Sequence, residues 1–320
     1  SAMLRINELA LSEEFINIDP LNLTIPVILS SSTKMEVRIQ AANQAYYDET
    51  LSIDSLEALY QSVDFNSKQF NQPEETIKNL NSKELIMAFY IQLADIQIFP
   101  DQRLKVILDY WKFAQNHGLE KIAFAITKNI TEKFSPESEN IQFGMEIAFA
   151  HISNKNFEEA LKWIDLYENS NGKNDKIEYA KFLIKLNQTN SLDTIINYLN
   201  NNFNDLSNFE DQQTREIVYV LANFLKLEDL SQFEFNYKKI KDDRLMPSYF
   251  LTKDLKLNMQ ENNDLSIFML SLISLNNQSW NELHPEHLNL ILNSYDIYDQ
   301  GALIKSIILE ILHELEIFNE

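Results

Sequence analysis

Glycine is almost missing from this chain: four residues in 320, where an average soluble protein carries about 7%. Three of the four, Gly118, Gly172 and Gly301, stand where one amphipathic pattern ends and another begins. Lacking a Cβ, glycine enters the left-handed conformation that turns a chain out of a helix, so its scarcity points to helices with short connections. It also removes the loops that hold phosphates and cofactors. The chain has no Gly-x-x-x-x-Gly-Lys, no Gly-x-Gly-x-x-Gly and no Gly-x-Ser-x-Gly, and those motifs need glycine for close backbone approach.

A hydrophobic content of 45% and a charged content of 23% are those of a soluble globular chain,. At this length one simple helical bundle is too small a container. The greasiest stretch, residues 304–315, is interrupted by Lys305, Ser306, Glu310 and His313, so no segment has the ~20 apolar residues that span a bilayer and no membrane insertion is expected. The absence of cysteine excludes disulfides, thiolate metal sites and a thiol nucleophile,. A net charge of −21 argues against nucleic acid, whose binding depends on cations that release condensed counterions. The one basic cluster, Lys238, Lys239, Lys241 and Arg244, is broken by Asp242 and Asp243 and reads as a solvated helix face. Ser1-Ala2-Met3 reads as the remnant of a cleaved tag; a trimmed start leaves the compartment open, cytoplasmic or periplasmic.

Prolines mark helix starts. Ser135-Pro136-Glu137, Gln72-Pro73-Glu74-Glu75, Phe99-Pro100-Asp101 and His284-Pro285-Glu286 each place proline near a first helical position with an acid just after it, where both are favourable. The periodicity predicts helices over 34–47, 52–62, 73–80, 82–97, 101–117, 119–134, 137–153, 156–169, 174–187, 190–202, 211–225, 228–240, 244–257, 263–275, 284–296 and 301–318. Residues 1–33, with Pro20, Pro26 and Ser30-Ser31-Ser32, are the least regular segment and are expected to pack as a short helix and an extended strap; residues 34–320 are expected to be one continuous helical domain. Ile304, Ile307, Ile308, Ile311 and Leu315 make a single apolar stripe at helical spacing,. Over 141–152 the apolar residues surround most of the helix, which must then be sandwiched.

The sharpest local signal is the pair of helices flanking Ser153-Asn154-Lys155-Asn156. Ile147 and Ala148 precede this polar turn; Phe157, Ala160 and Ile164 follow it, with Glu158 and Glu159 facing out. Ala160 lets the facing backbone approach while Phe157 fills the gap beside it. Over residues 144–170 this resembles a tetratricopeptide repeat. The chain departs from that pattern at Gly144, where the repeat usually has a bulky aromatic, and at His151 for tyrosine, Lys155 for glycine and Gly172 for proline. The next unit, Tyr179 to Ile184 and then Leu192, Ile195, Ile196 and Leu199, keeps the rhythm without the signature, as does the pair turning at Asn116-His117-Gly118. The resemblance implies degenerate hairpins stacked into an α-solenoid, a right-handed superhelix with a concave face. A compact irregular α-helical domain is the alternative that the same pattern permits.

Candidate chemistry is sparse. His284-Pro285-Glu286-His287 lacks the His-Glu-x-x-His spacing of a helical zinc site, and capping and solvation account for it. Glu310-Ile311-Leu312-His313 has the Glu-x-x-His spacing of di-iron bundles without the required second copy,. Asp242-Asp243 has Met246 where a diphosphate-binding synthase would carry a third acid. His117 and His151 read as packed or surface histidines. No catalytic residue, metal ligand or cofactor is therefore assigned, and the chain is expected not to be an enzyme. Trp111, Trp163, Trp280, Tyr46, Tyr47 and Tyr110 are possible recognition aromatics, most of them expected inside. If the repeat alignment holds, Phe149 and His151 lie on or near the concave face and are the candidate partner-binding residues. The expected function is a non-catalytic protein–protein interaction or assembly scaffold. The alternative is a helical enzyme or carrier holding a sugar polymer or apolar ligand in the concavity.

Overall fold

The amphipathic segments become helices, and no strand occurs among the residues that the computed structural model describes: 20–189, 192–202, 212–227, 244, 246–276, 278–296 and 301–314. These hold eighteen α-helices. In chain order they are α1 (Pro20–Ile28), α2 (Met35–Tyr47), α3 (Ile53–Gln61), α4 (Ser67–Asn71), α5 (Pro73–Asn79), α6 (Lys83–Ile96), α7 (Pro100–Gln115), α8 (Glu120–Ile126), α9 (Lys128–Thr131), α10 (Gly144–Ser153), α11 (Phe157–Asn171), α12 (Asp175–Gln188), α13 (Asp193–Asn202), α14 (Gln212–Leu225), α15 (Tyr249–Glu261), α16 (Asp264–Leu275), α17 (Pro285–Asp296) and α18 (Gly301–Glu314). Two 3₁₀ turns, Ser138–Phe143 and Trp280–Glu282, complete the set. The helix expected over 228–240, together with Lys238, Lys239 and Lys241 of the basic cluster, falls outside the described residues.

Pro73, Pro100 and Pro285 open helices as their sequence context predicts. Pro136 does not. The chain there stays extended through Glu137, and a 3₁₀ turn beginning at Ser138 leads into α10. Pro26 lies inside α1, the short helix of the N-terminal segment. The segment expected as a helix from 244 starts at Tyr249, because Ser248 is extended and its hydroxyl accepts the Leu251 N–H at 3.2 Å, the usual N-cap bond. The short α4 had no clear period; an Asn66–Gln69 capping box, satisfied in both directions, defines it,.

The chain divides into two compact units, residues 1–180 and 181–320. In the first, helices pack largely on their neighbours in sequence: α1 on α2, α2 on α3, α6 on α7, α7 on α8, α8 on α10, and α10 on α11. Ile39, Leu56, Tyr60, Met87, Phe89, Ile107 and Ile122 are fully enclosed in its core. The Tyr60 hydroxyl donates to Asn43 Oδ1 at 2.8 Å, and Gln92 Nε2 donates to the carbonyls of Tyr60 and Val63 at 3.0 and 2.9 Å. Those bonds tie the end of α3 to α6, satisfying carbonyls that a helix end leaves open.

In the second unit α17 is the hub. It packs on α14, α15, α16 and α18, with Leu288, Ile291 and Leu292 at zero exposure. The terminal stripe behaves as its spacing predicts, Ile304, Ile307, Ile308 and Ile311 being buried; Leu315 lies outside the described residues. Lys305 donates to the carbonyls of Leu186 and Thr189 at 2.5 and 2.6 Å, a cation at the negative end of α12. Arg244, expected on a solvated face, instead forms a largely enclosed ion pair with Glu216, whose other oxygen accepts from Gln212 at 3.0 Å.

Candidate functional site

The α10–α11 hairpin is built as its residue sizes require. Ile147, Ala148, Ala160, Trp163 and Ile164 have no exposed surface. At the crossing, a Cβ placed on Gly144 would stand 3.4 Å from Tyr167 Cβ and 3.6 Å from the Trp163 carbonyl oxygen. The two backbones thus leave room for about one methyl group. The turn closes with Lys155 at φ 59° and the Asn156 N–H on the His151 carbonyl at 2.8 Å. A lysine therefore holds the left-handed position where the repeat pattern favours glycine, at a cost of roughly 1–2 kcal/mol. Asn154 Nδ2 donates to the Phe124 and Ala150 carbonyls, both at 2.9 Å, and so clips this hairpin to α8.

The two candidate partner residues are placed differently. Phe149 is half-exposed, with its ring 6.0 Å from that of Tyr179. His151 is 3% exposed and its Nε2 has no hydrogen-bond partner. Burial holds its pKa below the ordinary 6.5, against the opposing pull of Glu159 and Glu132. In this conformation Phe149 can meet a partner directly, whereas His151 is an interior group that presents no surface.

Among the other aromatics, Trp111, Trp163, Trp280 and Tyr110 are buried, while Tyr46 and Tyr47 are half-exposed. Trp111 Nε1 donates to Thr127 Oγ1 at 2.9 Å, and the Tyr47 hydroxyl donates to the Gly118 carbonyl at 3.2 Å. Desolvation and the nearby Glu120 push the Tyr47 phenol up to about 12.

The histidine pair at the start of α17 separates. His284 Nδ1 accepts the Glu286 N–H at 3.2 Å, which is capping. His287, by contrast, is 1% exposed and its Nε2 lies 3.0 Å from Ser274 Oγ. Since that hydroxyl donates to the Ser271 carbonyl at 2.7 Å, the imidazole N–H must donate to the serine. His287 is thus a packed interior group rather than a solvated one. Glu310 is exposed, and the side chain of His313 lies outside the described residues. Among the described residues no three His, Asp or Glu side chains are grouped to hold a metal ion.

This same contact exposes a site that no motif marks. Helix α16 turns Ile267, Ser271 and Ser274 inward. Outward it turns Leu265 (73% exposed), Phe268 (41%), Met269 (50%), Leu272 (48%) and Ile273 (60%), at i, i+3, i+4, i+7 and i+8. The usual polarity of a surface helix is reversed: serines sit inside, where the Ser271 carbonyl and His287 satisfy Ser274, and a full apolar stripe meets water. On α15, its antiparallel neighbour, Tyr249 and Phe250 are 74% and 76% exposed and Leu257 is 43% exposed. Full burial of each such side chain would contribute about 1.5–3 kcal/mol, so leaving eight in water is a large forfeited stabilisation. One sequence signal accompanies the stripe: residues 265–281 contain no charged side chain in a chain of net charge −21.

No helix among the described residues is long and apolar enough to cross a membrane. Comparison of the chain with protein-family models, with curated proteins and with solved structures returns no match.

Proposed function

We propose that the chain is a non-catalytic protein-interaction or assembly scaffold, built from stacked helical hairpins of the tetratricopeptide-like kind. The observation that carries this reading is the outward apolar stripe of α16, Leu265, Phe268, Met269, Leu272 and Ile273, backed by the exposed aromatics of α15. The eight side chains are 41% to 76% exposed, and clustered exposure of large apolar side chains marks interaction sites. Regular helical spacing distinguishes this from scattered surface leucines: an i, i+3, i+4, i+7 row is the form in which helices meet helices. Phe149, half-exposed beside Tyr179, offers a second and smaller contact point in the first unit.

A photo-reactive phenylalanine at Phe149 or Leu265, irradiated in the source cells, tests this reading. Covalent adducts to protein at either position are the expected result. Adducts confined to glycan or small apolar molecules would replace the scaffold with a ligand carrier, and adducts at neither position would remove the reading.

A further inference from the structure

We infer that Asn171 is a site of spontaneous deamidation, and that its modification loosens the close crossing of α10 and α11. The next residue decides the chemistry. Of the four glycines only Gly172 follows an asparagine. Deamidation requires the backbone nitrogen of that next residue to reach the side-chain carbonyl carbon, an approach that a Cβ obstructs and glycine permits.

The place in the fold supplies access. Asn171 is the last residue of α11 and Gly172 its cap, and both are exposed. Gly172 has φ 75° with nothing within 4 Å of where a Cβ would stand, so open space lies beside it. Two hydrogen bonds restrain the pair: the Gly172 N–H donates to the Glu168 carbonyl at 2.8 Å, and Asn171 Nδ2 donates to the Tyr167 carbonyl at 3.2 Å. Both belong to the terminal turn, which frays without global unfolding. In the frayed turn the Gly172 N–H gives its proton to hydroxide, and the nitrogen attacks Asn171 Cγ. The Cγ–Nδ2 bond breaks, and the side-chain nitrogen leaves as ammonia with a proton from water. Water then opens the cyclic imide at either carbonyl, leaving aspartate or isoaspartate.

The effect on the fold follows from the same bonds. Either product lacks the Nδ2 donor to Tyr167 and carries a negative charge at the negative end of α11, which is unfavourable. Isoaspartate also lengthens the main chain by a methylene and so displaces the Gly172 N–H from Glu168. Tyr167, whose carbonyl loses its side-chain donor, is the residue that faces Gly144 at the crossing.

Site-resolved peptide mass spectrometry of the full folded chain, aged in mildly alkaline buffer, is the test. The expected result is a gain of one mass unit at Asn171, split between aspartate and isoaspartate, ahead of Asn66 and Asn169, which are exposed but followed by serine. Asn171→Gln removes that gain. Hydrogen exchange across residues 144–171 then rises in the aged chain and in Asn171→Asp, while their circular dichroism stays that of the fresh chain. Modification at Asn171 only in urea, or not at all, overturns the inference, and so does earlier modification at Asn66 or Asn169. Unchanged exchange in both the aged chain and Asn171→Asp refutes the loosening of the crossing.

Discussion

The crossing of α10 and α11 at Gly144 yields a sharp pair of substitutions. Gly144 has helical dihedrals, φ −59° and ψ −38°, so no left-handed strain protects it. A Cβ there would lie 3.4 Å from Tyr167 Cβ, 3.5 Å from Tyr167 Cδ2 and 3.6 Å from the Trp163 carbonyl oxygen, which is ordinary van der Waals contact. Gly144→Ala therefore adds a buried methyl group, worth about 0.8 kcal/mol, and regains part of the ~1 kcal/mol that glycine costs in a helix. The expected gain is roughly 1 kcal/mol. Gly144→Leu sends three more carbons into the space held by Tyr167 and the α11 backbone, and overpacking of that kind costs about 1–3 kcal/mol. The opposite signs are the test. Hydrogen exchange of peptides covering residues 144–171 reports the local opening free energy directly and avoids assuming that both units unfold together. If leucine is tolerated as well as alanine, or alanine itself opens the hairpin, the close crossing is not there.

Further outcomes follow from the same region and its neighbours. Lys155→Gly relieves the left-handed strain at φ 59° and raises stability by about 1 kcal/mol in the same exchange measurement; a loss would show that the lysine side chain stabilises the turn. His151 gives a pH dependence whose sign is fixed by its lowered pKa: the unfolded chain takes up the proton more readily, so stability is complete above the ordinary 6.5 and falls as pH drops below it toward the folded value. Urea melts of His151→Phe across that range should have a shallower acid limb than the wild type, and an identical limb would assign the effect elsewhere. Tyr60→Phe leaves Asn43 Oδ1 without its 2.8 Å donor and costs about 1–2 kcal/mol. Tyr110→Phe, at a buried hydroxyl with no partner, costs nothing or stabilises; equal losses in the two variants would contradict the hydrogen-bond assignment.

What the sequence made legible, and what it hid, divide along a physical line. Helix starts were readable because proline and capping residues act locally: Pro73, Pro100 and Pro285 each open a helix. So was the α10–α11 pair, since Ile147, Ala148 and Ala160 declare by size where backbones approach. Helix ends were less readable. Gly118 and Gly172 take positive φ as expected, and so do Asn262 and Asn276, whose side chains favour that region; Glu49, Lys155 and Lys226 do so as well, and nothing local distinguishes those three from helical residues.

The α16 stripe was hidden for a different reason. A period of 3.6 shows that α16 has two faces, and the apolar one is ordinarily turned inward. Here the inward face is set by a tertiary contact, that of Ser274 with His287, which joins residues on two helices. His151 shows the same limit. Its place on a helix was plain, but its enclosure depends on helices that pack around it.

The reversal of α16 is the central claim, and the absence of cysteine makes it directly measurable. Single substitutions of each residue from Leu265 to Ser274 to cysteine, labelled with a thiol-reactive dye at low protein concentration, report exposure position by position. The account predicts rapid labelling at 265, 268, 269, 272 and 273 and slow labelling at 267, 271 and 274. Rapid labelling at 267, 271 and 274 with protection of the apolar row would contradict it.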